Sequence, residues 1–209
     1  MLILCSNGLS SKKLIKHALK ITSDCKTAAL VVTADNIYKE NNRNVKRCLE
    51  ELKSLGLSSD IFDLDNQPAD LLADYDVVEF IGGNPFYLLN SIRENNAEDT
   101  LRFIADNKIL IGWSAAAFVF GPTLELVNRY SPELNFLNLD NLNGISLTET
   151  EVLPHYNTFK KKFDRFEEIC REYEKQYGVS VIRINDGDGV FIDGNIIKTV
   201  KKSVFESRL

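Results

Sequence analysis

The chain of 209 residues has only two histidines, His17 and His155, with one tryptophan, Trp113, and one methionine. So small a histidine set narrows any search for a general base working near neutral pH to two positions. The four cysteines, Cys5, Cys25, Cys48 and Cys170, show no CxxC spacing, which argues against a structural zinc site. An export signal is missing too: the apolar start from Met1 to Cys5 is too short and no basic region precedes it. The cysteines are therefore expected to be free thiols and the compartment the cytoplasm. Nowhere does the chain approach the roughly 18 apolar residues of a membrane span. No basic block occurs, and 25 Lys and Arg against 30 Asp and Glu leave a net charge of −5, so nucleic acid is a poor partner. Repeats, low-complexity tracts and Pro/Gly/Ser-rich linkers are absent as well. At 44% hydrophobic and 26% charged residues, the composition suits one globular domain over residues 1–209.

What is present is an alternation of short apolar runs with amphipathic stretches. Strands are expected at 2–5, 28–32, 60–64, 76–81 and 109–112, and helices at 12–22, 42–55, 86–92 and 99–106. A further short helix belongs between the third and fourth strands. In the first helix Leu14, Ile15, Ala18 and Leu19 share one face, with Lys13, Lys16, His17 and Lys20 on the other. Gly56 is placed to end the second. This order implies an α/β fold: a doubly wound, mostly parallel sheet with helices on both faces. The later third is less regular, with a strand at 143–152, a charged helix at 158–177, and strands at 179–184 and 189–200 ending in a hairpin at Asp193-Gly194. In such sheets sites form beyond the carboxyl ends of strands, here after Ile81 and after Gly112.

The second of these edges carries the clearest chemistry. A buried strand runs into Gly112-Trp113-Ser114, followed by three alanines. This is the layout of a nucleophile elbow, where small neighbours let a serine hydroxyl project into the cleft. Gly112 and Ala116 are small where that is required, although Ala116 stands where the pattern usually has glycine. The N–H of Ala115 is the first candidate oxyanion donor. By itself the pattern also fits a serine that only caps a helix. His155, behind Pro154 and ahead of Asn157, is the candidate base, since His17 lies on a lysine-bearing helix face. Asn157 is placed to hold the imidazole. A carboxylate should orient that ring, and the loop Asn185-Asp186-Gly187-Asp188-Gly189 offers Asp186 and Asp188. That loop also reads as a tight turn, and it lacks the spaced ligands of a calcium loop. After Ile81, Gly82-Gly83-Asn84 leaves room for backbone N–H groups to face a ligand, with Asn84 able to cap the next helix.

Ile81-Gly-Gly-Asn-Pro-Phe-Tyr-Leu-Leu89, then Gly112-Trp-Ser-Ala-Ala-Ala117, then Pro154-His-Tyr-Asn157 together resemble the serine peptidase family of dipeptidase E and cyanophycinase. The resemblance implies a fold like class I glutamine amidotransferases, with serine in the elbow where those use cysteine. It implies Ser114 as nucleophile, His155 as base, and the Gly83 and Ala115 amides as oxyanion donors. The family's third member is an acid, often glutamate before glycine; Asp186-Gly187 holds the shorter aspartate at that place. Dipeptidase E looks for an N-terminal aspartate, held partly by basic groups near the histidine, so Lys162 and Arg165 are expected substrate contacts together with Asn84. The expected reaction is hydrolysis of short peptides without metal or organic cofactor. Rival readings are an esterase or amidase on the same site, and a ligand-binding relative without activity. Monomer and homodimer are both left open.

Overall fold

The computed structural model describes residues 1–203. Five strands form the parallel part of a seven-stranded sheet: β1 (Leu2–Cys5), β2 (Thr27–Val31), β3 (Ser58–Phe62), β4 (Val77–Phe80) and β5 (Ile109–Trp113). β8 (Gly189–Asp193) joins antiparallel to β1, and β9 (Ile196–Val200) closes the edge, giving the order β3-β2-β4-β5-β1-β8-β9. The mostly parallel α/β sheet and late hairpin match the expectation. A separate pair, β6 (Glu151–Leu153) with β7 (Val181–Arg183), is parallel.

Side chains alternate across the central strands, and both sets are apolar because both faces are covered. Ile3 and Cys5 of β1 point into a core shared with α1 (Lys12–Ile21) and α2 (Val45–Ser54). Leu2 and Leu4 point the other way, into a larger core filled by α3 (Pro85–Glu94), α4 (Glu98–Asn107), α5 (Ala115–Val119), α6 (Glu125–Tyr130) and α8 (Phe166–Tyr177). The helix ends follow sequence chemistry. Ser11 caps α1 by accepting from Leu14 N. Asn84 caps α3 by accepting from the Phe86 and Tyr87 amides, with Pro85 in the first turn.

Two expectations for the later third are corrected. Of 143–152 only the last residues are strand. Residues 144–147 instead donate their amides to the carbonyls of Pro122, Val119, Gly121 and Phe120. They thereby satisfy carbonyls that the end of α5 and the turn beyond it leave free, so they have no strand to pair with. The expected helix at 158–177 is broken into α7 (Tyr156–Lys162) and α8, with Phe163 extended and Arg165 left-handed at φ 52°. The break lets Phe159, Phe163 and Phe166 all close on Tyr130, at ring separations of 5.3, 5.1 and 5.0 Å. Burial of that aromatic cluster offsets the lost helical hydrogen bonds.

Candidate active site

The parallel pairing of β1 with β5 sets Cys5 opposite Trp113, and the Ser114 amide donates to the Cys5 carbonyl at 3.2 Å. The strand stops there. Ser114 takes φ 54° and ψ −108°, a conformation rarely open to a residue with a side chain, and α5 starts at the next residue. Such strain persists only where the surroundings enforce it, and it turns the side chain out of the strand direction. The hydroxyl of Ser114 makes no capping hydrogen bond, so the helix-cap reading fails. A Cβ at Gly112 would lie 2.6 Å from the Phe120 ring and 3.1 Å from Ala116 Cβ, which is why both positions must be small.

The loop after β4 presses on this turn from the side. A Cβ at Gly82 would meet Ser114 Cβ at 2.8 Å, and one at Gly83 would meet the Ala34 carbonyl oxygen at 2.1 Å. Only glycines let the backbone pass between the elbow and the loop beyond β2. Gly82 is thus the loop residue against Ser114, Gly83 follows it against Ala34, and Ala115 opens α5 directly after the serine.

His155 follows β6 in a left-handed conformation, φ 55°. Its Nδ1 lies 2.6 Å from Asp186 Oδ1, which leaves Nε2 free among the described residues. Of the two aspartates, Asp186 is therefore the one on the imidazole. Asp188 is buried and accepts from the Asn185 and Lys202 amides, holding the loop. The hydrogen bond with His155 is the main force keeping the Asp186 carboxyl low, at about 2, against the opposing effect of burial. Asn157 acts differently from expectation: its Oδ1 accepts from the Asp186 amide at 3.1 Å, fixing the carboxylate's loop instead of the imidazole.

Ser6, which the sequence did not single out, joins the two halves. It is fully buried one residue beyond Cys5, and its hydroxyl donates to Asp186 Oδ1 at 2.8 Å. The Ser6 hydroxyl oxygen in turn accepts from the His155 amide at 2.9 Å and lies 3.3 Å from His155 Nδ1. Thus the last residue of β1 and the one after it touch the elbow and the histidine–aspartate pair respectively. Thr158 donates to Asp186 Oδ2 at 3.1 Å, and Ser11 and Asn7 bind the peptide groups of Gly187. Only the observation that a β1 loop borders the same sheet edge could have flagged Ser6.

The remaining expected contacts separate. His17 bonds the Lys13 carbonyl of its own helix. Arg165 is exposed and paired with Glu168, and Lys162 is exposed, lying over the Phe163 ring at 4.8 Å. Asn84 lines a cavity of about 640 Å³ that adjoins Gly83, together with Asp35, Tyr38, Asn42 and Leu134. Asp35 is already engaged by the Ile37 and Tyr38 amides and by Asn42. Arg43, overlooked in the sequence, also lines this cavity and has no ion pair or hydrogen bond among the described residues.

A sequence model of peptidase family S51 matches residues 2–200. An uncharacterised peptidase of Listeria monocytogenes is 27% identical over 185 residues, covering 85% of this chain and 87% of that protein. Peptidase E of Citrobacter koseri is 23% identical, covering 75% of this chain and 68% of that one. Among solved structures, a Listeria monocytogenes crystal structure provisionally named peptidase E superposes with a TM-score of 0.80 at 25% identity, covering 97% and 98% of the two chains. Nearly the whole described fold lies inside the matched region, so this chain belongs to peptidase family S51 and is a serine hydrolase of that family.

Proposed function

We propose that the protein hydrolyses short peptides through an acyl-enzyme on Ser114. The observation that carries this reading is the strained Ser114 turn, linked through the Cys5–Ser6 segment to a histidine whose Nδ1 is held by a carboxylate. Ser114 Oγ attacks the peptide carbonyl as His155 Nε2 takes its proton. Asp186 stabilises the imidazolium through Nδ1–H. The Gly83 and Ala115 amides receive the oxyanion, a contribution of about 3 kcal/mol per donor in comparable sites. Collapse expels the amine, which takes the proton from His155, and leaves an ester on Ser114. Water, deprotonated by His155, then hydrolyses the ester and restores the serine.

The substrate's acyl side lies in the cavity beside Gly83, away from His155. Among the described residues Arg43 is the unpaired cation there, which supports preference for an acidic N-terminal residue and moves its recognition from Lys162 and Arg165 to Arg43. Hydrolysis of a dipeptide panel that includes Asp-Xaa members tests both steps, with Ser114→Ala and Arg43→Ala in parallel. Turnover should fall at least ~10⁴-fold in Ser114→Ala. In Arg43→Ala the KM for Asp-Xaa should rise ~10-fold or more, with Ala-Xaa unchanged. Cleavage of esters with no dipeptide turnover would replace the peptidase reading by an esterase.

A further inference from the structure

β4 is apolar on both faces except at one residue. Val78 and Phe80 enter the larger core, and Val77 faces the core beneath α1 and α2. Glu79 points the same way as Val77, in register between Leu30 of β2 and Ile111 of β5. It is fully buried, and neither carboxylate oxygen makes a hydrogen bond of good geometry among the described residues, although the Trp113 side chain is near enough to favour its charged form slightly. A carboxyl group in such a place is costly without a proton or a cation. Facing it are Cys48, also fully buried, and Glu51, both on α2; Cys48 Sγ and one carboxylate oxygen from each glutamate all lie within 4.8 Å of one another. Trp113 Nε1 is buried and likewise makes no hydrogen bond of good geometry among the described residues.

We propose that Cys48, Glu51 and Glu79 bind one divalent cation, with Zn²⁺ the best match. One sulfur and two oxygens suit a borderline-soft ion, whereas Mg²⁺ and Ca²⁺ prefer oxygen alone. Three protein ligands leave the fourth tetrahedral position to water. Around the site, Arg47 pairs with Glu51 and stands 5.6 Å from the Trp113 ring, and the Leu9 amide donates to Glu51 Oε2 at 3.1 Å. These contacts orient Glu51 and supply outer-shell support. A surface groove of about 460 Å³, lined by Leu9, Arg47 and Glu51, provides the entry path. Burial disfavours a bare charge on both the Glu79 carboxyl and the Cys48 thiol. Binding forms the metal–sulfur and metal–oxygen bonds, and any proton a ligand carries passes to solvent. The ion would fasten α2 to β4 directly behind Trp113, the residue before Ser114. The missing CxxC spacing is no obstacle, because a helix and a distant strand supply the ligands.

The test is a Co²⁺ titration of chelator-treated protein, followed by Zn²⁺ competition, in wild type, Cys48→Ser and Glu79→Gln. Wild type should take up one equivalent with a thiolate-to-cobalt absorption band that Zn²⁺ bleaches. Fluorescence of Trp113, the single tryptophan, should change in step. Cys48→Ser should lose the band, and Glu79→Gln should bind ~10-fold or more weakly. No band in wild type overturns the proposal. So does a band that survives in Cys48→Ser, which would place the metal on another thiol such as the half-buried Cys25. Should either variant fail to fold, the wild-type titration still decides, because fluorescence of Trp113 that ignores bound metal is incompatible with a site at this place.

Discussion

At Ser114 the backbone torsions of 54° and −108° expel the side chain from the line of β5, and beyond β6 His155 adopts another positive-φ conformation. Both residues sit in torsional regions that cost of order 1–3 kcal/mol, a cost the packing around them must cover. Two further residues make the pair usable. Asp186 fixes which imidazole nitrogen carries the proton, and Ser6 holds both partners at once. Asp186→Asn keeps the shape but presents the wrong donor to the ring, so kcat should fall ~10³–10⁴-fold. Ser6→Ala touches no reacting atom. It should lower kcat ~10-fold with KM nearly unchanged and shift the acid limb of the pH–rate profile, because its hydroxyl helps keep the Asp186 carboxyl low. A Ser6→Thr variant that keeps the hydroxyl should recover most of the rate.

At the scale of elements, the elbow depends on what wraps α5. That helix spans five residues, and the carbonyls of Val119 and Phe120 near its end are satisfied by Ile145 and Leu147 of an irregular segment. The approach is tight: a Cβ on Gly144 would lie 2.1 Å from the Gly121 carbonyl oxygen and 2.8 Å from that of Val119. Backbone cannot yield there as a flexible side chain would. Gly144→Ala should therefore destabilise the protein by ~2 kcal/mol or more, measured by urea unfolding, and lower kcat along with it. A neighbouring surface change such as Asp140→Ala, at an exposed side chain, should leave both close to wild type. The break between α7 and α8 belongs at this scale too. A single helix would satisfy more backbone bonds, yet the gathering of three phenylalanines about Tyr130 prevails.

Over the whole molecule, two cores flank one sheet, and no helix among the described residues is long and apolar enough to cross a membrane. The histidine–aspartate pair also enters the global stability. The Asp186 carboxyl lies at about 2 in the folded protein, below its usual 3.8. A depressed carboxyl contributes stability above its unfolded pKa and loses it as pH falls through the folded value. With its side chain 33% exposed, solvent screening reduces the contribution to roughly 1 kcal/mol. Denaturant midpoints should thus fall between about pH 4 and pH 2 in wild type. In Asp186→Asn that part of the decline should be missing.

The amino-acid order by itself determined the layered α/β plan, because strands buried on both faces must be apolar without alternation while covering helices must be amphipathic. It pointed to the elbow without separating it from a helix cap, a choice that the torsions of Ser114 made, and it left His155 as the one histidine off a surface helix. Local patterns could not choose between Asp186 and Asp188, which read as the same turn. The choice fell to the docking of that loop onto Asn7, Ser11 and Asn157. Nor could they show Ser6, Arg43 or Glu79 as special, because each gains its role from neighbours far away in the chain. The later third was misread for the same reason. Its backbone partners lie in α5 and its aromatic partners in α6, and such contacts exist only once the sheet has brought its edges together.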